Sequence, residues 1–433
     1  MLRAFANAFK IPELRGKILF TLAILTVYRF GSVVPMPGVD YGRLRGILDQ
    51  VTAQGQSGVT SLLNLFSGGA LTQLAVFALG IMPYITSSII MQLLTVVIPK
   101  LEQWQKEGES GTKRITQYTR YLTVILAILQ STGLIALVAS GNLFAGSGID
   151  SSGLIPNQSI GIRALMVVTL TAGTAFIMWL GELITQRGVG NGMSLLIFTA
   201  IISGLPGTAI QIYQRSVWIF VGLMIVALLL IVGVVYIEQG QRRIPVQYAK
   251  RQVGRRTYGG TSTYIPLKVN QAGVIPIIFA SSLLYLPQLV AGIVGSPTLQ
   301  RFVDQYFVNS ANPIFIVTFF LLTIFFAYFY TSITFNPTDV ADNMKKYGGF
   351  IPGYRPGRPT AEYLSHVLTR ITLPGSLYLA TLAILPMLGA AFASVDFPLG
   401  GSTLLIVVGV ALETMKQLES QLLQRHYEGF LNA

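Results

Sequence analysis

The chain contains no cysteine, so disulfides and thiolate-bound metals are excluded. Histidine is almost missing as well: His366 and His426 are the two in 433 residues, and they lie far apart. No phosphate loop (GxxxxGK followed by Ser or Thr), paired-carboxylate site, nucleophile motif or metal-ligand cluster is visible. Metal-dependent and thiol catalysis are thereby excluded, no enzyme activity is expected, and no cofactor is expected. With no ATPase motif, any energy source has to come from a partner or a gradient.

Charge is scarce too. Asp, Glu, Lys and Arg make up 11% of the chain, whereas soluble domains carry about 25%. Hydrophobic residues reach 52%, and the mean hydropathy is +0.61. A water-soluble globule of this size cannot have that composition, so much of the apolar surface has to face lipid. The charges are separated by long neutral runs: Asp49 to Lys100, Arg120 to Asp150, Arg187 to Arg215, Lys268 to Arg301, Asp304 to Asp339 and Arg370 to Asp396. Each run exceeds the roughly 20 residues that cross the hydrocarbon core as a helix. A charge at mid-bilayer costs at least ~2.5 kcal/mol, so its absence is the signature of a span.

Ten spans are predicted, roughly at 18–34, 73–98, 118–139, 161–181, 189–206, 217–237, 271–292, 313–335, 371–392 and 402–420. Counting the N-terminus and alternate loops as one side places 24 of the 30 Lys+Arg there. The positive-inside rule then puts both termini in the cytoplasm, which requires an even number of spans. The basic start of the chain (Arg3, Lys10, Arg15, Lys17) precedes an apolar run without a small-residue cleavage site, and is read as leading into a retained first helix. Leu2, Phe5, Ala6 and Phe9 fall at helical spacing and predict a short helix on the membrane surface.

Three features depart from a plain bundle. Arg29 interrupts span one near its outer end. Residues 59–71, VTSLLNLFSGGAL, are apolar but too short to cross, and Gly68-Gly69 falls just before span two. This stretch reads as a short helix folded back into the membrane, tolerated there only against protein or a water-filled cavity. Glu413, Lys416 and Glu419 lie near the end of span ten, which is expected to project into the cytoplasm. Ten spans divide as five plus five near residues 206–216, and an odd number per half makes inverted repeats. No internal sequence repeat supports that symmetry, which is inferred from counting.

Ion-coupled transporters place Asp, Glu or His inside their spans. Here the interiors are nearly empty of them: Glu182 closes span four and Asp396 sits outside span nine. That emptiness fits an inert hydrophobic bundle and a passage without a fixed ionic site equally well. On pattern alone Ile81, Ile85, Ile197, Ile278 and Ile406 are ordinary lipid-facing or core residues. The stretch 242–268 has seven cations and no acid. It fits a topology determinant, and also docking to an acidic partner or to RNA phosphates.

Eight segments, in order along nearly the whole chain, carry a specific resemblance. They are YRFGSVVPMPGVD (28–40), NLFSGGALTQLAVFALGIMPYITSSIIMQLLTVV (64–97), KEGESG with ITQYTRY (106–121), MWLGELITQRGVGNGMSLLIF (178–198), RRIPVQYAKRQVGRR (242–256), PLKVNQAGVIPIIFASS (266–282), FNPTDVADNMKKYGGFIPGYRPGRPTAEYL (335–364) and GGSTLLIVV (400–408). By these the chain resembles the SecY family, pore subunits of the bacterial protein-translocation channel. The resemblance implies an all-α integral membrane protein: ten transmembrane helices in two pseudo-symmetric inverted halves, 1–206 and 207–433, around an hourglass pore.

It also implies roles for residues. Six aliphatic side chains form the pore constriction: Ile81, Ile85, Met193, Ile197, Ile278 and Ile406. Met193 departs from the isoleucine common at its place, and its flexible thioether is expected to keep the seal. The stretch 59–71 becomes a plug, carried by Leu62, Leu63, Asn64, Leu65, Phe66, Ser67 and Gly68. A lateral gate falls between spans two and three on one side and seven and eight on the other, held shut by a bond between Gln92 and Asn270. The loops 238–268 and 336–370 are docking sites, through Arg242, Arg243, Lys250, Arg251, Arg255, Arg256 and Arg355. Implied partners are SecE, SecG, the SecA motor ATPase, the ribosome, signal peptides with their preprotein or nascent chains, and membrane lipids. The implied location is the bacterial inner membrane. Rival readings are a small-solute secondary transporter and a scaffold without a passage. A transporter predicts a polar or ionic cluster at mid-membrane, which the sequence lacks.

Overall fold

A computed structural model describes residues 9, 11–54, 67–141, 153–248, 251–253, 256–258, 262–294, 296–308, 312–393 and 401–431. The surface helix expected over residues 1–10 lies almost wholly outside them. The helices are α1 (Pro12–Gly31), α2 (Tyr41–Gln54), α3 (Met82–Val97), α4 (Pro99–Lys106), α5 (Glu109–Ala139), α6 (Ile160–Arg187), α7 (Gly192–Arg215) and α8 (Val217–Gln239). After a β-region come α9 (Ile275–Val294), α10 (Pro297–Val303), α11 (Pro313–Thr334), α12 (Pro337–Lys346), α13 (Arg358–Ala393) and α14 (Gly401–Leu431).

A helix lies on each of the ten expected spans. Among the described residues six are long and apolar enough to cross a membrane, or seven if the bent pair α3–α4 counts as one. The chain is thus a multi-pass membrane protein. Helix α1 falls short on charge, because Glu13, Arg15, Lys17 and Arg29 lie within it. Helix α8 is apolar on every face through its middle and exposed over most of its length. Its ends carry the exposed rings of Trp218 and Tyr236, about 27 Å apart along the axis, the separation of two interfacial aromatic belts. Buried hydroxyls inside the spans return their hydrogen to the preceding turn, as Ser87 does to the Pro83 carbonyl (2.8 Å) and Thr123 to that of Thr119 (2.7 Å).

The start of span two differs from expectation, while its end falls where expected. Span two does not begin at residue 73: its helix starts at Met82, and 67–81 is irregular backbone. The cause is local. Gly68, Gly69 and Gly80 adopt positive φ (65°, 88° and 56°), Leu74 is forced to 43°, and Pro83 opens the helix in its first turn. At the other end α3 and α4 meet at 102°, where Pro99 has no N–H to continue the ladder.

The β-region was not expected in an all-α reading. Strands β1 (Gln241–Tyr248), β4 (Ser262–Lys268) and β5 (Gly349–Phe350) form an antiparallel sheet in the order β4-β1-β5, and β2 (Arg251–Val253) pairs with β3 (Arg256–Tyr258). The β1–β4 register sets Arg242 opposite Leu267 and Ile244 opposite Ile265. Alternation along β1 turns Ile244 and Val246 inward and leaves Arg243, Pro245 and Gln247 exposed. Those inward residues build a small second core with Leu267, Met344, Ile351, Leu364 and Val367.

The spans pack around a single central apolar cluster. Helix α1 lies on α6 and α7, α5 on α3 and α6, α9 on α11, and α11 on α13. Helix α5 also packs on α9, and α7 on α8 and α14.

Candidate functional site

The six residues expected to form the constriction lie at or near the starts of four helices that contribute to the central cluster. Ile81 caps α3 and Ile85 follows one turn later; Met193 and Ile197 lie in the first two turns of α7; Ile278 lies in the first turn of α9 and Ile406 in the second turn of α14. Asn191 secures the α7 start, its Oδ1 accepting from the Met193 and Ser194 amides at 3.0 and 3.4 Å. Ile81, Ile197, Ile278 and Ile406 are buried in the cluster, and Ile85 and Met193 pack half-buried against it. None of the six faces lipid as an exposed residue. The Met193 thioether lies in the notch left by Gly181 on α6, where a Cβ would collide with it.

Of the expected plug residues, Leu62, Leu63, Asn64, Leu65 and Phe66 lie outside the described residues. Ser67 and Gly68 are the described foot of that segment, both buried, and the Ser67 Oγ accepts from the Leu71 amide at 3.1 Å.

The expected bond between Gln92 and Asn270 is not formed. Gln92 lies on the exposed face of α3. Asn270 is buried, its Nδ2 donating to Glu238 Oε1 at 2.5 Å and to the Gly273 carbonyl at 3.2 Å, while its Oδ1 has no partner. The β1–β4 register explains this. Pairing Gln241 with Lys268 brings the following turn beside the end of α8, where Glu238 waits. The polar groups at the α5–α9 seam are different ones. Gln130 on α5 and Ser282 and Tyr285 on α9 line a cavity closed by Leu71, Leu79 and Met82. In the sequence Gln130 stands as a lone amide in the neutral stretch 121–139 of span three.

The basic residues lie on two loops that one strand pairing joins. Arg242 and Arg243 are exposed on β1, and the Arg243 guanidinium lies over the Tyr264 ring across the sheet at 4.8 Å. Arg251 and Arg256 sit on the β2–β3 hairpin; Lys250 and Arg255 lie outside the described residues. Arg355 is exposed in a turn closed by Tyr354 stacked on Tyr363 (4.2 Å) and by the Thr360 hydroxyl donating to the Arg355 carbonyl (2.8 Å). Pairing of Gln247 with Phe350 joins β1 to β5, so the two loops form one unit.

The fold and this cluster define a multi-pass helical membrane protein packed around a buried apolar centre. A family model described as SecY matches residues 75–415. The protein translocase subunit SecY of Streptomyces galbus is 59% identical over 439 residues, covering 100% of both chains. Among solved structures, one titled as a protein-conducting channel aligns with a TM-score of 0.65 at 16% identity, covering 93% of this chain and 91% of the other. Sec61 in the canine ribosome-channel complex from the endoplasmic reticulum aligns with a TM-score of 0.60 at 16% identity, over 93% and 91%. The chain belongs to the SecY family.

Proposed function

We propose that this chain is the pore subunit of a protein translocase, passing unfolded polypeptides across the bacterial inner membrane with both termini in the cytoplasm. It is not an enzyme. One observation carries the reading: Ile81, Ile197, Ile278 and Ile406, from four helices in both parts of the chain, meet in one buried cluster with Ile85 and Met193 against it. A collar of alkyl groups offers no hydrogen bonds, so it dewets when narrow and holds back ions. It also makes no specific contact with a passing chain, so a polypeptide of any sequence can slide through.

Residues 1–206 and 207–433 are the two halves, and they part at the α5–α9 seam to release hydrophobic segments into lipid. Gln130 and Ser282 are the seam's polar groups, since both line the cavity between α5 and α9. The segment 59–71 plugs the outer funnel. The joined basic loops, with Arg242, Arg243 and Arg355, dock a ribosome, as the shared fold with the canine ribosome-bound channel supports, or the SecA motor. SecE and SecG complete the complex.

Replacing Ile85 or Ile278 with Ser in the reconstituted complex should raise resting ion conductance in planar bilayers and relax the stringency of signal recognition. Conductance equal to that of the parent protein in both variants would remove the collar from the mechanism.

A further inference from the structure

We propose that the Tyr28-Arg29-Phe30-Gly31 segment is a mooring for the foot of the plug, with Arg29 as its pin; this rests on the plug reading above. Arg29 stands in the last turn of α1. Its Nη1 donates to the Gly68 carbonyl at 2.8 Å and to Ser32 Oγ at 3.2 Å, and the Ser32 hydroxyl donates back to the Arg29 carbonyl at 2.7 Å. A cation in a span is costly unless bonded. A carbonyl in irregular backbone at that depth is costly too. Each supplies what the other lacks.

The neighbouring residues serve the same contact. The buried ring of Tyr28 stacks on Phe77 (6.0 Å), which stacks in turn on Phe176 of α6 (6.1 Å). A Cβ at Gly31 would overlap the Phe77 ring, so the glycine makes the berth for it. Phe30 points away and is 75% exposed. Beyond the motif, the Val76 amide donates to the Val34 carbonyl at 3.0 Å and the Met36 amide to the Leu74 carbonyl at 3.1 Å. The chain therefore leaves α1 and returns from the plug through one stitched base.

Gly68 is held from its other side as well. At φ 65° a Cβ would stand 3.0 Å from Ala200 Cα on α7. Since α1 packs on α6 and α7, Arg29 and Ala200, which hold Gly68 from its two sides, both belong to the first half of the chain. Among the described residues, Arg29 provides the side-chain stitch to Gly68, one that can open without breaking the backbone ladder at 34–36. Arg29 is thus a positioning residue that sets how often the plug foot is seated at rest, and the foot stays with the first half when the seam parts.

The test uses the absence of native cysteine. A single thiol placed by Ser67→Cys in the complete complex is buried at rest, Ser67 being 1% exposed. Arg29→Gln should speed its labelling by a membrane-impermeant maleimide on the order of tenfold, the shift expected when one charge-assisted hydrogen bond is lost. Arg29→Lys, which keeps the charge but not the fork, should fall between. Gly68→Ala, which displaces the same carbonyl from the opposite side, should match Arg29→Gln and carries the test if that variant does not accumulate. A second thiol, Thr123→Cys in the middle of α5, should label no faster in any variant. Equal labelling of Ser67→Cys with and without Arg29 overturns the mooring, and so does faster labelling at both sites, which would report general loosening. If Arg29→Gln exposes Ser67→Cys while Ile85→Ser and Ile278→Ser both leave conductance unchanged, the mooring stands and the collar reading falls.

Discussion

The central cluster between the spans and the small core beneath the β-sheet are assembled by different forces. Lipid is as apolar as leucine, so burying a side chain between spans yields little from the hydrophobic effect; close packing has to hold the helices together. The glycines record this. A Cβ at Gly173 would overlap the Val76 carbonyl, and one at Gly192 the Gly181 carbonyl. The sheet core faces water instead, and Leu267 and Leu364, both fully buried, are driven there by exclusion from solvent. The first core is therefore broken by adding atoms and the second by removing them.

That contrast can be tested in descending order of effect. Gly192→Val should prevent the α6–α7 hairpin from closing, at a cost above ~4 kcal/mol, and abolish folded protein in membranes. Gly222→Val on α8, where nothing lies within 4 Å, should accumulate normally; equal loss of both would break the comparison. Leu267→Ala should cost the sheet core about 2–5 kcal/mol, read as protease cleavage between 241 and 268 while the spans keep their melting temperature. Co-melting of the spans would show that the two cores are one cooperative unit. Arg355→Glu should cut motor-driven export from reconstituted vesicles several-fold with no change in melting, because Arg355 is exposed and its structural contact is made by its backbone carbonyl. Lys106→Gln should do least. Its ion pair with Glu102 (2.6 Å) is solvent-exposed on both sides, and the melting curve should not move.

The spans were legible because hydrocarbon punishes charge over some twenty residues at a time, a rule that needs no tertiary information. The start of α3 was not, since 67–81 is as apolar as a span; its glycines were the sole sign that the backbone would turn. The strand alternation of Ile244 and Val246 was hidden among arginines that read as topology signals. Which of many aliphatics reach the central cluster required the resemblance, since composition treats them all alike. The Gln92–Asn270 pairing failed for a related reason. A motif names the residue types near a seam, but the face of α3 on which Gln92 lies depends on where that helix begins, and the partner of Asn270 depends on a strand register.

Helix α13 belongs to both cores. Leu364 and Val367, near its start, lie under the sheet, and Leu379, Leu382 and Met387, further along, lie in the central cluster. Its 36 residues make a rod about 54 Å long. Pro374 removes one rung of its ladder, and the adjacent Gly375 lies hard against the Val269 carbonyl at the end of β4. Load applied to the sheet thus has a direct path to the central cluster along α13, with its joint seated against the end of β4.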